Sequence, residues 1–197
     1  MSAKGLLLTE PLDRYEPNSA AWCEIRAAMF AARDDWRERA EEFEFVAAQC
    51  RGSVLEIGCA FGSFARYLPL GRDYLGIDIS AFSIETARKR LPDKLFLCAD
   101  MDEMGEAWRN VAGTVVALQV LEHRRDPEAT LRRFKELGQH RVIVSVPRGQ
   151  SEKAHMAACG HYAAWADEEE FGAAFEHLGR WDFVDMDEEH IVGVMVW

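Results

Sequence analysis

From about Ser19 to Cys50 the apolar positions recur at helical intervals. Trp22, Ile25 and Met29 stand three and four residues apart, and Trp36, Ala40, Phe43 and Ala47 repeat that spacing. A helix turns every 3.6 residues, so the pattern predicts one or two amphipathic helices. Pro11 and Pro17 punctuate the stretch before them and predict an irregular arm. Beyond residue 52 short apolar runs alternate with helical stretches, which predicts repeated βα units and a largely parallel sheet. Strands are expected at about 53–57, 73–78, 94–98, 114–119 and 141–146, with helices at about 62–69, 81–90, 102–110 and 127–137. The last of these has clear boundaries: Asp126 can cap it, Pro127 suits its first position and Gly138 can close it.

A further helix is expected at about 168–178. Asp167 with Glu170 three residues on marks its start, and Phe171, Ala174, Phe175 and Leu178 line one face. After Gly179, Trp181–Met186 and Ile191–Trp197 read as strands separated by the acidic turn Asp187–His190. So short a connection demands an antiparallel pair. No repeat of the solenoid type is present.

A chain of 197 residues, 49% apolar and 29% charged, is expected to form one domain with a sizeable core and to leave no room for a separate polymer-binding domain. Acidic residues outnumber basic ones by 34 to 23, a net charge of −11, and binding to a phosphate backbone needs the opposite balance. Nucleic acid is therefore not the expected substrate. Arg124, Arg125, Arg132, Arg133 and Lys135 are the best basic patch, and they read first as a solvated helix face. The five cysteines form no C-x-x-C pair, so reduced thiols are expected rather than disulfides or a zinc site. Leu6–Leu8 is too short an apolar run for a signal peptide or a membrane span, and a cytoplasmic location is the expectation.

The chemistry concentrates in Val54-Leu55-Glu56-Ile57-Gly58-Cys59-Ala60-Phe61-Gly62-Ser63-Phe64, a buried strand entering a glycine-bearing turn. A ligand can approach the backbone at Gly58 and Gly62, where no Cβ intervenes. Such a turn alone is also an ordinary βα connection. The next strand, however, ends in Asp78, 22 residues after Glu56, where a carboxylate can accept protons from both ribose hydroxyls. The strand after that ends in Asp100, placed to accept from an adenine amino group. Either acid could be a mere helix cap; acids on three successive strands point to an adenosine ligand.

In these residues the chain resembles the class I S-adenosylmethionine-dependent methyltransferases, over roughly residues 50–197. Their E/D-x-G-x-G-x-G motif stands here as Glu56-Ile57-Gly58-Cys59-Ala60-Phe61-Gly62. The resemblance continues through Leu75-Gly76-Ile77-Asp78-Ile79-Ser80, Ala99-Asp100-Met101, Leu118-Gln119-Val120-Leu121-Glu122-His123 and Val142-Ile143-Val144-Ser145-Val146-Pro147. It implies a Rossmann-like α/β fold: a seven-stranded sheet of order 3-2-1-4-5-7-6, strand 7 antiparallel, with helices on both faces. It also implies a division into an N-terminal arm and helices (1–50), able to cover the active site, and a cofactor-binding domain (51–197). S-adenosylmethionine is the implied cofactor, held by Glu56, Gly58, Ala60, Gly62, Asp78, Ile79, Asp100, Met101 and Gln119. Ala60 replaces the middle glycine of the motif, and a negative φ is expected there.

Methyl transfer from a sulfonium is an in-line displacement that needs alignment and exclusion of water more than a covalent nucleophile. His123, just past strand 4, is the best-placed candidate base, with a structural histidine pinning the loop as the alternative. His161 and Tyr162, in the long segment after strand 5, are candidate substrate contacts. Trp22, Met29 and Trp36 can cover the cofactor. The spacing His155-x5-His161 lacks a third ligand nearby, and no metal is expected. No N-P-P-Y-like tetrapeptide follows strand 4, and a small-molecule acceptor is favoured. The competing readings are a catalytically silent cofactor-binding module and, less favoured, a nicotinamide-dependent oxidoreductase, whose G-x-G-x-x-G fingerprint does not match Gly58-x-x-x-Gly62.

Overall fold

Alternation within the central strands sets the layers. In β4 (Ala112–Leu118), Val115 and Ala117 pack into one hydrophobic cluster while Val116 and Leu118 pack into the other. In β5 (Gly138–Pro147), Val142, Val144 and Val146 join the first cluster and Ile143 the second. A sheet buried on both faces needs cover on both. The computed structural model describes residues 16–30, 39–149, 156, 159–184, 186 and 188–197. Pro11, Trp36 and His155 lie outside these.

The sheet has seven strands in the order β3-β2-β1-β4-β5-β7-β6. β1 (Val54–Ile57) pairs in parallel with β2 (Tyr74–Asp78) and β4, β2 with β3 (Leu95–Cys98), and β4 with β5. β7 (His190–Val196) runs antiparallel to β5 and to β6 (Arg180–Val184), as the short connection requires. The strand order reverses between β1 and β4, and ligands of open α/β sheets bind at such a switch point beyond the carboxyl ends.

Among the described residues, four helices accompany the sheet. α2 (Ala40–Gln49) and α3 (Ala81–Arg90) cover one face through Phe43, Val46, Ile84 and Ala87. α4 (Pro127–Leu137) and α5 (Glu168–Phe175) cover the other through Leu131, Phe134, Phe171 and Phe175. α4 starts as expected, with Asp126 accepting from the Ala129 N–H and Pro127 in the first turn. Gly138 ends it in extended backbone and passes straight into β5. α1 (Ala20–Phe30) precedes the domain. It buries Trp22, Ile25 and Ala28, while Met29, in its last turn, is 43% exposed and does not take the covering position expected of it.

Two expected helices are shorter. The 62–69 segment forms only the 3-10 turn Phe64–Arg66, because it begins on Gly62 at φ +76° and meets Pro69 within two turns. The 102–110 segment forms the 3-10 turns Met101–Glu103 and Glu106–Trp108, interrupted at Gly105. Among the described residues no helix is long and apolar enough to cross a membrane.

Candidate functional site

The chain leaves β1 through a turn with three residues at positive φ: Gly58 (+70°), Ala60 (+44°) and Gly62 (+76°). A Cβ on Gly58 would lie 2.5 Å from Val120 Cγ2, and one on Gly62 2.7 Å from Phe96 Cζ, so both positions are closed to other residues. Ala60 corrects the sequence reading, which expected negative φ there. The cause lies in Asp78, whose Oδ2 accepts the Ala60 N–H at 2.9 Å while Oδ1 accepts the Ser80 N–H at 2.8 Å. The Cys59 N–H also donates to the Ile77 carbonyl at 3.0 Å. Backbone strain of this kind persists where the surroundings over-determine it, commonly at ligand sites.

Glu56 is buried in β1 and accepts a hydrogen bond from the Tyr74 hydroxyl. Burial pushes its pKa up to about 8, against the lowering effect of that bond. Asp78 is also raised by burial, opposed by its two backbone donors. Asp100 Oδ1 accepts the Asp102 N–H at 2.9 Å and so does cap a 3-10 turn. Its carboxylate nonetheless lines the cavity.

That cavity, of about 630 Å³, is lined by Glu56, Gly58, Ala60, Asp78, Ile79, Asp100, Met101, Gln119 and His123. Of the expected cofactor residues, Gly62 alone is absent from its wall and backs onto Phe96. Gln119 leaves β4 at φ +58°, its amide donating to the Ser145 carbonyl at 2.9 Å and its side chain to Ser145 Oγ at 3.2 Å. Arg39, paired with buried Glu42, reaches the same Oγ at 3.1 Å.

At the far end of the cavity, His123 ends the 3-10 turn Leu121–His123, and its Nδ1 lies 3.1 Å from the Gly160 carbonyl. A carbonyl only accepts, so Nδ1 carries the proton and Nε2 carries the lone pair. Burial first, with His161 and Arg26 adding to it, lowers the pKa of His123 to about 4 against the Gly160 bond. It is neutral at pH 7. Its ring meets His161 edge-on, 4.8 Å between centroids, and Trp22 at 6.4 Å. The loop carrying His161 is fastened here. Glu122 O accepts the Tyr162 and Ala163 amides at 2.7 and 3.2 Å, and Asn18 Nδ2 donates to both the His123 and Gly160 carbonyls at 3.0 and 2.7 Å.

Tyr162 turns away from the main cavity: its hydroxyl donates to the Pro17 carbonyl at 3.2 Å, Arg125 lies over its ring at 4.6 Å, and it lines a smaller neighbouring cleft. Glu122, side by side with His123, is buried; desolvation raises its pKa to about 8, and its Oε2 has no hydrogen-bond partner among the described residues.

The roof is α1, which contributes Trp22, Cys23, Arg26 and Ala27 to the cavity. Glu24 anchors it, accepting from Ser80 Oγ at 2.6 Å and from the Phe82 N–H at 3.0 Å at the start of α3. Sequence reading missed Asn18, Glu24, Arg26 and Glu122. Nothing local marked the first three, whose partners lie 56 to 142 residues away. Glu122 stood inside a quoted motif, but its burial is visible only in the fold.

Residues 55–142 match the family model described as a methyltransferase domain. No curated protein matches the chain. Among solved structures, the chain is similar to one in the complex between the Haloferax volcanii Trm112 methyltransferase activator and a methyltransferase, with TM-score 0.64 and 16% identity, over 85% of this chain and 96% of that one. It is similar to magnesium protoporphyrin IX methyltransferase from Synechocystis PCC 6803, crystallised with S-adenosylhomocysteine, with TM-score 0.62 and 17% identity, over 91% and 87%. The N-terminal domain of EvdMO1, also with S-adenosylhomocysteine bound, gives TM-score 0.61 and 18% identity over 83% and 81%. At these identities the likeness is one of fold.

Proposed function

We propose that this chain, which carries a class I S-adenosylmethionine-dependent methyltransferase domain over a seven-stranded Rossmann-like sheet, methylates a small-molecule acceptor held beneath α1. The supporting observation is one continuous cavity, running from the Gly58 turn to His123 and roofed by Trp22 and Arg26. Its 630 Å³ falls within the range of about 300–1,000 Å³ typical of small-ligand sites.

The residues present suit the cofactor. Backbone at Gly58 is open where a Cβ would not fit, Asp78 and Asp100 stand at successive strand ends for ribose and adenine, and Glu56 lies in the wall for an ammonium group. When bound, the cofactor supplies a sulfonium-activated methyl group. An acceptor O–H or N–H methylated in this way would release its proton to solvent. His123 serves as a hydrogen-bond acceptor through Nε2, holding the acceptor's O–H or N–H towards its own ring so that the lone pair faces the methyl carbon. Its lowered pKa suits this role better than that of a base holding a proton at pH 7. His161 supports the His123 ring rather than reaching the acceptor first. α1 acts as the cover that excludes water.

The test is incubation of the purified chain with methyl-labelled cofactor and a panel of small alcohols, phenols, amines and carbon acids, beside bulk RNA, DNA and protein. Label transferred to a small acceptor is the expected result. Efficient transfer to polymers alone, or cofactor binding with no transfer to any acceptor, would overturn it.

A further inference from the structure

We infer that Glu122, His123 and His161 form a binding site for one divalent metal ion of the zinc class, at the acceptor end of the cavity. The ligand atoms of the three lie within 4.8 Å of one another, although His161 is 39 residues from Glu122. Tetrahedral bonds of about 2.1 Å place ligands about 3.4 Å apart, so a small side-chain rotation closes the set. His123 Nε2 and Glu122 Oε1 already stand at 3.9 Å.

Three features make this a built site. First, the Gly160 carbonyl takes the Nδ1 proton of His123 and leaves Nε2 as the lone-pair nitrogen; a ligating histidine is held in this way by an outer partner on its other nitrogen. Second, Glu122 is 1% exposed and its Oε2 is without a hydrogen-bond partner among the described residues, an arrangement costly for a carboxyl group unless something else satisfies it. Third, the loop delivering His161 is tied to Glu122 and His123 by the Tyr162, Ala163 and Asn18 bonds, so the geometry is fixed by backbone.

Two imidazoles and one carboxylate are a donor set suited to zinc and its neighbours, and three protein ligands leave a fourth position open. Arg26 on α1 and Arg39 at the start of α2 are the cations that act on Glu122; Arg39 is neutralised by Glu42, which leaves Arg26 as the opposing charge. Of the three, His123 lines the cavity, so an ion held here would stand beside the proposed acceptor, whose oxygen could meet it in place of Nε2. That catalytic use rests on the proposed function, whereas ion binding does not.

The chain stripped with chelator is titrated with Co²⁺ and followed by its visible d–d absorption, and Zn²⁺ is then added in competition. One equivalent is expected, displaced by Zn²⁺, with no near-ultraviolet thiolate charge-transfer band and with a rise in melting temperature. Glu122→Gln, His123→Ala and His161→Ala should each weaken Co²⁺ binding by about 100-fold or more, since even outer-sphere losses cost about 10–100-fold. His177→Ala, at an exposed surface pair, should leave it unchanged. Wild-type chain that binds no Co²⁺ and gains no melting temperature would overturn the site, as would folded Glu122→Gln and His161→Ala variants that bind like wild type. Cofactor titration of the same metal-free sample reports on the methyltransferase reading independently.

Discussion

The two ends of the cavity are built differently. At the cofactor end, Glu56, Gly58, Asp78 and Asp100 sit on or just past strands that are neighbours in the sheet, and each is placed by the strand that carries it. At the acceptor end, Asn18, Trp22, His123, Gly160 and His161 come from three remote stretches, and hydrogen bonds between loops hold them. The first end is a property of the sheet; the second is a property of tertiary assembly. Substitutions at the first should change ligand affinity, and those at the second should change turnover or local order.

Asp78→Ala should give the largest effect. It removes two charge-assisted bonds, one from the Ala60 N–H in the Gly58–Gly62 turn and one from the Ser80 N–H ahead of α3, about 1.5–3 kcal/mol each, as well as the proposed ribose contact. Cofactor affinity measured by calorimetry is expected to fall about a thousandfold or more; an unaltered dissociation constant would remove Asp78 from the site. At the other end, His123→Ala should lower turnover by about 100-fold through lost alignment, with cofactor affinity near wild type. Equal losses in both quantities would erase the distinction between the ends.

What was legible follows the same division. The strands, the antiparallel β7 and the acids at the strand ends could be read because apolar runs, a short connection and motif spacing are local signals, whereas the strand order followed only from the family resemblance. Asp100 illustrates the limit: it is both a turn cap and a cavity residue, and spacing alone presented these as rivals. Ala60 could not be read, since its φ depends on a carboxylate 18 residues away. Met29 and Tyr162 were misplaced because helical spacing and loop membership do not specify which wall a side chain joins.

A pH dependence sharpens the contrast further. Glu56 in the free chain has a pKa of about 8, raised above the ordinary carboxylate value, so it is mostly protonated at pH 7. An ammonium ligand favours the carboxylate, so binding lowers that pKa and releases a proton. Affinity should therefore weaken by up to about tenfold per pH unit as pH falls below 8, until the pKa of the complex is reached. Calorimetry in buffers of differing ionisation enthalpy should register the proton, and Glu56→Gln should abolish its release. In the free protein the sign for stability is opposite to that of a paired carboxylate. The raised folded pKa makes stability greatest below the unfolded value of 4.5, and it is lost as pH rises towards 8.

The smallest expected change is Ala60→Gly. Relief of left-handed strain, about 1–2 kcal/mol, is offset by glycine's extra entropy of about 0.5–1 kcal/mol. A rise in melting temperature corresponding to about 1 kcal/mol or less is expected, and a fall would mean that the turn is not strained at this residue.

Glu24 bears on the order of events during turnover. The carboxylate that grips Ser80 and Phe82 is the fastening between the roof helix and the start of α3, two residues beyond Asp78, the proposed ribose acid. On the proposed function, a ligand passing under that helix would have to wait for those hydrogen bonds to part. On that reading, the latch would couple departure of the spent nucleoside to admission of the next acceptor. An enzyme gated in this way cycles at the pace of its hinge, and weakening Glu24 would trade retention of ligands for speed of exchange.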